Sequence, residues 1–256
     1  MLDRLTNILF PNRSNVAVAC DADEQSYEIE LNGKQYPIRF KRSARSKSVS
    51  LSADVIEGEV KITLPRNEPV GRALRFADEK KQWLAASFSD APEGRPLEVD
   101  GSFPYEGDRL FIRWDRALPR KIALSGDEIT LGGAIESVQP RVLRWLKQNA
   151  IDAYTYDLKE YCERADAKIP ALAIGDARGR WGSYSSRGTM RISWRLIMAP
   201  PFVRRSVIAH EVAHIKHMDH SREFYDWLDF LYEGNRKQAD LWLRKNGKAL
   251  HMVGRN

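Results

Sequence analysis

The sequence predicts an α+β protein, an N-terminal antiparallel β-sheet region followed by a helical domain with a short sheet. Three observations point there. Residues 27–64 alternate apolar and polar side chains, the pattern of strands with one buried face. Residues 140–165 place Leu143, Leu146, Ile151, Tyr154 and Leu158 on one helical face, and residues 203–218 do the same with Val203, Val207, Ile208, Val212 and Ile215. A polar break at 132–139 lies between the strand-rich and helical parts. The expected organisation is an extension over 1–25, a β-rich domain with one helix over 26–135, and a second domain over 136–251.

Taken in order, "NILF" and "VAVAC" near the start are apolar, and Ala19-Cys20 faintly resembles a lipoprotein signal. Pro11, Asn12, Arg13, Ser14 and Asn15 interrupt them, so no signal-peptide core forms and a loosely held extension is expected. In the sheet region, Asn32-Gly33 and Glu57-Gly58 are hairpin-turn dipeptides. Lys41, Arg42, Arg45 and Lys47 read as a solvated basic loop, with phosphate contact as the functional alternative. Residues 69–89 read as one helix, packed through Leu74, Phe76, Ala77, Trp83 and Leu84. Short strands follow, with turns at Asp100-Gly101, Glu106-Gly107 and Ser125-Gly126. No internal repeat stands out. Residues 177–200 read as a hairpin turning at Ser186-Arg187-Gly188. An exposed edge of such a hairpin can accept an extended peptide through main-chain hydrogen bonds. Trp181 and Trp194 read as packing residues, with Trp181 at a cleft as the alternative.

Chemistry concentrates in the run "HEVAHIKHMDH", residues 210–220, which holds four of the five histidines. Pro200 and Pro201 suit the start of a helix through it. Histidines four apart on a helix project from one face and can reach one ion. A glutamate directly after the first can act on water held there, the HExxH pattern of zinc hydrolases. His210 and His214 are the expected ligands and Glu211 the general base. For the third ligand, His217 shares their face. Seven helical residues from His210 span about 10 Å, however, too far for bonds of about 2.0–2.1 Å. His220 fits if the helix ends near Met218–Asp219 and the chain turns back. Glu223 is a further candidate. Tyr225 and Arg195 are candidates for stabilising an oxyanion.

The segment Arg180 to Leu228 resembles the YgjP-like metallopeptidase-domain proteins, relatives of the SprT-like and other small gluzincin-type zincins (minigluzincins). Trp181-Gly182-Ser183, Trp194-Arg195-Leu196, Ala199-Pro200, His210 to His214, and His220-Ser221 with Phe224 carry the resemblance. "KRSARSKSVSLSADVIEGEVKITLPRN" and "ADEKKQWL" extend it upstream, over roughly residues 26–245. The resemblance implies a zincin-like catalytic domain with His210, His214 and His220 as zinc ligands and Glu211 as catalytic base. It also implies an edge strand above the HExxH helix that receives substrate. Tyr184 stands where such proteins often have cysteine. His217 stands where a metzincin would have glycine.

A chain of 256 residues with net charge +6 is long enough for a substantial core, and its basic balance can favour acidic partners. Two distant cysteines, Cys20 and Cys162, form no disulfide framework and suit a reducing, cytoplasmic setting. No apolar run approaches the 18 residues of a membrane span. The expected function is a zinc-dependent metallohydrolase that cleaves peptide bonds in a peptide or protein substrate. The alternatives are a metal-dependent nucleoside triphosphate pyrophosphohydrolase acting on a UTP-type nucleotide, a DNA-associated protease, and a non-enzymatic metal-stabilised binding module.

Overall fold

The computed structural model describes residues 18–21, 24–89 and 93–255. They fall into two compact units divided after residue 92. The first seventeen residues of the expected extension lie outside the described part.

In the first unit, β1 (Val18–Asp21), β2 (Glu24–Leu31), β3 (Lys34–Ser43), β4 (Ser50–Asp54) and β5 (Glu59–Pro65) form a sheet in the order β1-β2-β3-β5-β4. Residues 18–21 are thus part of the sheet, paired antiparallel with β2. Asn32 and Gly33 both have positive φ, 52° and 76°, which joins β2 to β3 by a two-residue turn matching strand twist. The sheet is mixed, not purely antiparallel. The loop after β3 carries the chain past its neighbour, so β5 returns between β3 and β4 and pairs parallel with β3. Ile29, Leu31, Ile38, Val60, Ile62 and Leu64 lie buried on one face. The helical stretch is broken at Lys80 into α1 (Val70–Glu79) and α2 (Lys81–Ser89). Ala73, Leu74, Ala77, Leu84 and Phe88 close the core. Trp83, expected to pack, is 51% exposed.

The second unit opens with β6 (Ser102–Tyr105), β7 (Asp108–Trp114), β8 (Ala123–Ser125) and β9 (Glu128–Leu131), in the order β6-β7-β9-β8 with β7 and β9 parallel. This is the connectivity of β2-β3-β5-β4, again followed by a helix. The connectivity is therefore an internal repeat that residue identities do not reveal. What the two copies share is turn chemistry: positive-φ Gly33 and Gly58 in one, Gly107 and Gly126 in the other.

The long helix α3 (Val138–Arg164) follows directly. Its Val138, Val142, Leu146 and Ala150 share one buried cluster with Ile112, Ile129 and Leu131 of the second sheet. The boundary expected at 132–139 therefore falls inside this unit, because these strands bury their apolar face on α3. Ile151, expected on the apolar face, is exposed. A three-stranded sheet then forms from β10 (Ala171–Gly175), β11 (Gly182–Ser185) and β12 (Thr189–Ser193), in the order β10-β12-β11. β11 and β12 are the expected hairpin, turning at Gly188 with φ 78°. A 3₁₀ turn at Trp194–Met198 leads into α4 (Pro201–Lys216), α5 (Arg222–Leu231) and α6 (Arg236–Met252). No helix among the described residues is long and apolar enough to cross a membrane.

Helix α4 is fixed to α3 by buried ion pairs. Asp157, with 2% of its side chain exposed, accepts from Arg204 Nε at 2.9 Å and Arg205 Nη1 at 3.0 Å. Arg204 also reaches Glu106, and Arg205 reaches Glu160 and Glu233. Removing one partner strands the others as uncompensated charge. Asp157→Ala is expected to destabilise the unit by about 3–5 kcal/mol in urea unfolding; a loss under about 1 kcal/mol would show that water replaces the pairing.

Burial pushes the Glu233 carboxyl upward, but hydrogen bonds from Arg205, the local backbone, Tyr161 and Arg164 outweigh it and hold it at about 2. Its unfolded value is about 4.3, so the folded state is favoured above that pH, and this contribution disappears as pH falls toward about 2. The melting temperature of the wild type is expected to drop more steeply between about pH 5 and 2 than that of Glu233→Gln. Parallel slopes would remove Glu233 from the acid response.

Candidate metal centre

Helix α4 begins with Pro201 at its first turn and buries Val203, Ile208, Val212 and Ala213 against the core. This leaves His210 and His214 on a half-buried flank and Glu211 buried. The helix stops at Lys216. His217 has extended geometry, φ −126° and ψ 109°, and its N–H closes the helix on the Ala213 carbonyl. The chain then turns, and His220 comes back over the helix.

One ring nitrogen from each of His210, His214 and His220 lies within 4.8 Å of the other two. His210 Nε2 and His220 Nε2 are 3.2 Å apart. His217 and Glu223 are not in this group. His217 acts through its backbone: its carbonyl accepts from His214 Nδ1 at 2.9 Å, which directs the other nitrogen of His214 inward. Such a hydrogen bond fixes the tautomer and ring angle of a ligating histidine.

The residues after the turn shape the floor. Ser221 caps α5, its hydroxyl accepting from the Phe224 N–H, and Asp219 accepts from the Ser221 N–H. This brings the fully buried Phe224 ring under all three imidazoles, at 5.0, 4.6 and 4.9 Å between ring centres. Burial and then the neighbouring imidazoles push His210 down to about 4. His214 is lowered as well, with burial the largest cause. Both shifts favour the neutral ring, which presents a lone pair.

Burial pushes the Glu211 carboxyl up to about 7, against a hydrogen bond from the Tyr184 backbone and the field of Arg180. Glu211 lies directly beneath β11. A Cβ placed on Gly182 would stand 2.5 Å from Glu211 Oε1. The residue names alone leave the glycine of Trp-Gly-Ser without a stated role. The available signal was a glycine inside a strand pattern, which marks close approach of another group.

Other expected residues fall elsewhere. Arg195 is not available to an oxyanion. It is 3% exposed, grips both oxygens of Asp176 at 2.5 and 3.0 Å, and donates to the Leu250 and Val253 carbonyls. Trp194 is core. Trp181 stacks on His251 at 4.9 Å and abuts Gly247 of α6. Tyr225 sits beside His220, ring centres 6.2 Å apart, with the Arg236 guanidinium 4.7 Å over its ring.

Gly182→Ala is expected to destabilise by about 1–3 kcal/mol through overlap with Glu211. In a Glu211→Ala background the loss is expected to fall below about 0.5 kcal/mol, since the overlap is gone. Additive losses in the double-mutant cycle would place the strain elsewhere.

The YgjP-like metallopeptidase-domain model matches residues 49–246. No curated protein and no solved structure matches significantly. The match covers most of the chain, which therefore belongs to the YgjP-like family. A metallopeptidase domain is a metal-dependent hydrolase of peptide or protein substrates.

Proposed function

We propose that this YgjP-like protein is a zinc-dependent peptidase in which His210, His214 and His220 hold the ion and Glu211 is the general base. The observation that carries this reading is the convergence of three imidazole nitrogens within 4.8 Å, with a buried carboxylate next to the first of them in sequence. The donor set suits zinc. Two nitrogens at bonds of about 2.0–2.1 Å and a tetrahedral angle stand about 3.3 Å apart, and the His210–His220 spacing is 3.2 Å. Neutral imidazoles favour zinc over magnesium or calcium, which take oxygen donors. Three protein ligands leave a fourth position for water or substrate.

When bound, zinc supplies Lewis-acid polarisation of the scissile carbonyl and makes water easier to deprotonate at neutral pH. Glu211 accepts the proton as water attacks and delivers it to the leaving nitrogen. Its burial suits a base that exchanges a proton near neutral pH. Phe224 excludes water beneath the imidazoles, and the His217 carbonyl keeps His214 in one orientation.

The substrate side is β11, at the edge of its sheet. The Ser193 N–H donates to the Trp181 carbonyl, so by strand alternation Gly182 and Tyr184 direct their main-chain groups away from β12. Tyr184 already donates to Glu211. An extended peptide lying along this edge would have its backbone beside the general base.

The test is metal content and peptide hydrolysis on the same preparations. Near-stoichiometric zinc is expected in the wild type and in Glu211→Gln. It is expected to be lost from His210→Ala and His220→Ala. Glu211→Gln is expected to lose about 10²–10⁴-fold in kcat. Wild type that stays zinc-free after reconstitution would defeat the metal assignment. Hydrolysis of nucleoside triphosphates but of no peptide would replace the peptidase reading with the pyrophosphohydrolase one.

A further inference from the structure

The outer face of β11 and β12 carries two adjoining hollows. One, about 220 Å³, is lined by Arg180, Trp181, Ser183, Arg191 and Ser193 among others. The second, about 410 Å³, is lined by Ser183, Ser185, Arg187, Thr189 and Arg191 among others. Ser183 and Arg191 belong to both. Strand alternation accounts for the division: Met190 and Ile192 point inward to the core, while Thr189 and Arg191 point out. Ser183 and Ser185 pair with Arg191 and Thr189 across the hairpin, so they share the outer face.

This face is basic, and Arg180 also acts through its field on the Glu211 carboxyl. Arg180, Arg187 and Arg191 are exposed, and among the described residues no carboxylate forms an ion pair with any of them. The nearby acid, Asp176, has both oxygens on Arg195. Ser193 adds a hydroxyl that is buried without a hydrogen-bond partner and lines the smaller hollow. Gly182 forms part of its wall, and the opposite face of Gly182 lies over Glu211.

An extended chain added to the β11 edge sends alternate side chains to this outer face, next to Ser183 and Ser185. Both serines are short and leave Arg191 unobstructed. The added chain would lie two strand spacings, about 9–10 Å, from β12. An arginine and a glutamate reaching toward each other span that gap, and a guanidinium holds a carboxylate through two parallel hydrogen bonds. We propose that the outer face of β11 and β12 is a subsite for carboxylates of an extended peptide, with Arg191 as its central contact and Arg180 and Arg187 flanking it. Resting on the peptidase reading, this makes acidic sequence the substrate class.

Binding tests it without turnover. The probes are two pools of fluorescent octapeptides, one with glutamate and one with glutamine at the same positions, each amide-capped or with a free C-terminus. They are titrated into zinc-loaded Glu211→Gln protein at physiological salt. The glutamate pool is expected to bind about tenfold tighter. Persistence in capped peptides assigns the contact to acidic side chains, and a preference only in uncapped ones assigns it to the chain-terminal carboxylate. Adding Arg191→Gln is expected to bring the pools within about twofold. Arg191→Glu is expected to reverse the preference toward a lysine pool, which a merely misfolded protein would not do. Equal binding of both pools, or a preference that survives Arg191→Gln, overturns the proposal. So does UTP displacing the acidic pool at concentrations below the peptide's own, which makes the face a phosphate site. Wild type that cleaves neither pool while the Arg191-dependent preference persists defeats the peptidase reading and leaves the subsite standing.

Discussion

The ion pairs of Asp157 with Arg204 and Arg205 fix helix α4 on α3, and every part of the candidate metal centre is referred to that helix. Two consecutive arginines on one buried carboxylate restrain both rotation about the axis and sliding along it. Glu211 is seven residues beyond Arg204, two helical turns on the same side, so the contact that buries Arg204 also turns Glu211 inward. A rotation that exposed Arg204 would carry Glu211 out from beneath Gly182 and swing His210 and His214 off their flank. Replacing the pairs by apolar residues could match their stability, but Arg205 also reaches Glu160 and Glu233, tying α4 to α3 and to the end of α5.

The centre combines groups that burial would ordinarily disfavour. Glu211 is nearly enclosed, and the Tyr184 N–H and Arg180 only partly offset that. His210 and His214 are shifted toward the neutral form, which a metal ligand requires. Ordering is achieved with few residues: His217 ends α4 and orients His214, Ser221 starts α5, and Phe224 supplies the surface beneath the rings. All of these contacts come from the segment 217–224, so the helix end and His220 act as one unit.

The repeated strand connectivity gives a second view of how the centre is supported. In the first copy the sheet is covered by two short helices. In the second, the helix that follows is 27 residues long. Its first part covers its own sheet through Val138, Val142 and Leu146. Its later part continues past the sheet and presents Asp157 and Glu160 to α4. One architectural unit has thus been lengthened into the support for α4.

Much of this was legible from local pattern. The spacing of His210, Glu211 and His214 places two imidazoles and a carboxylate on one helix because the helical period is a property of consecutive residues. Pro200 and Pro201 mark its start, and Asn32-Gly33 and Gly188 mark turns because their φ values favour those residues. The approach of His220, rather than His217 or Glu223, to His210 and His214 was different. It depends on where α4 ends and on the path back, which Phe224 and Ser221 decide through packing and capping. The parallel pairing of β3 with β5, the commitment of Arg195 to Asp176, and the closeness of Gly182 to Glu211 join residues from 19 to 29 positions apart. Sequence periodicity determines which face a residue occupies. Which distant face it meets was decided only when the sheets and helices packed.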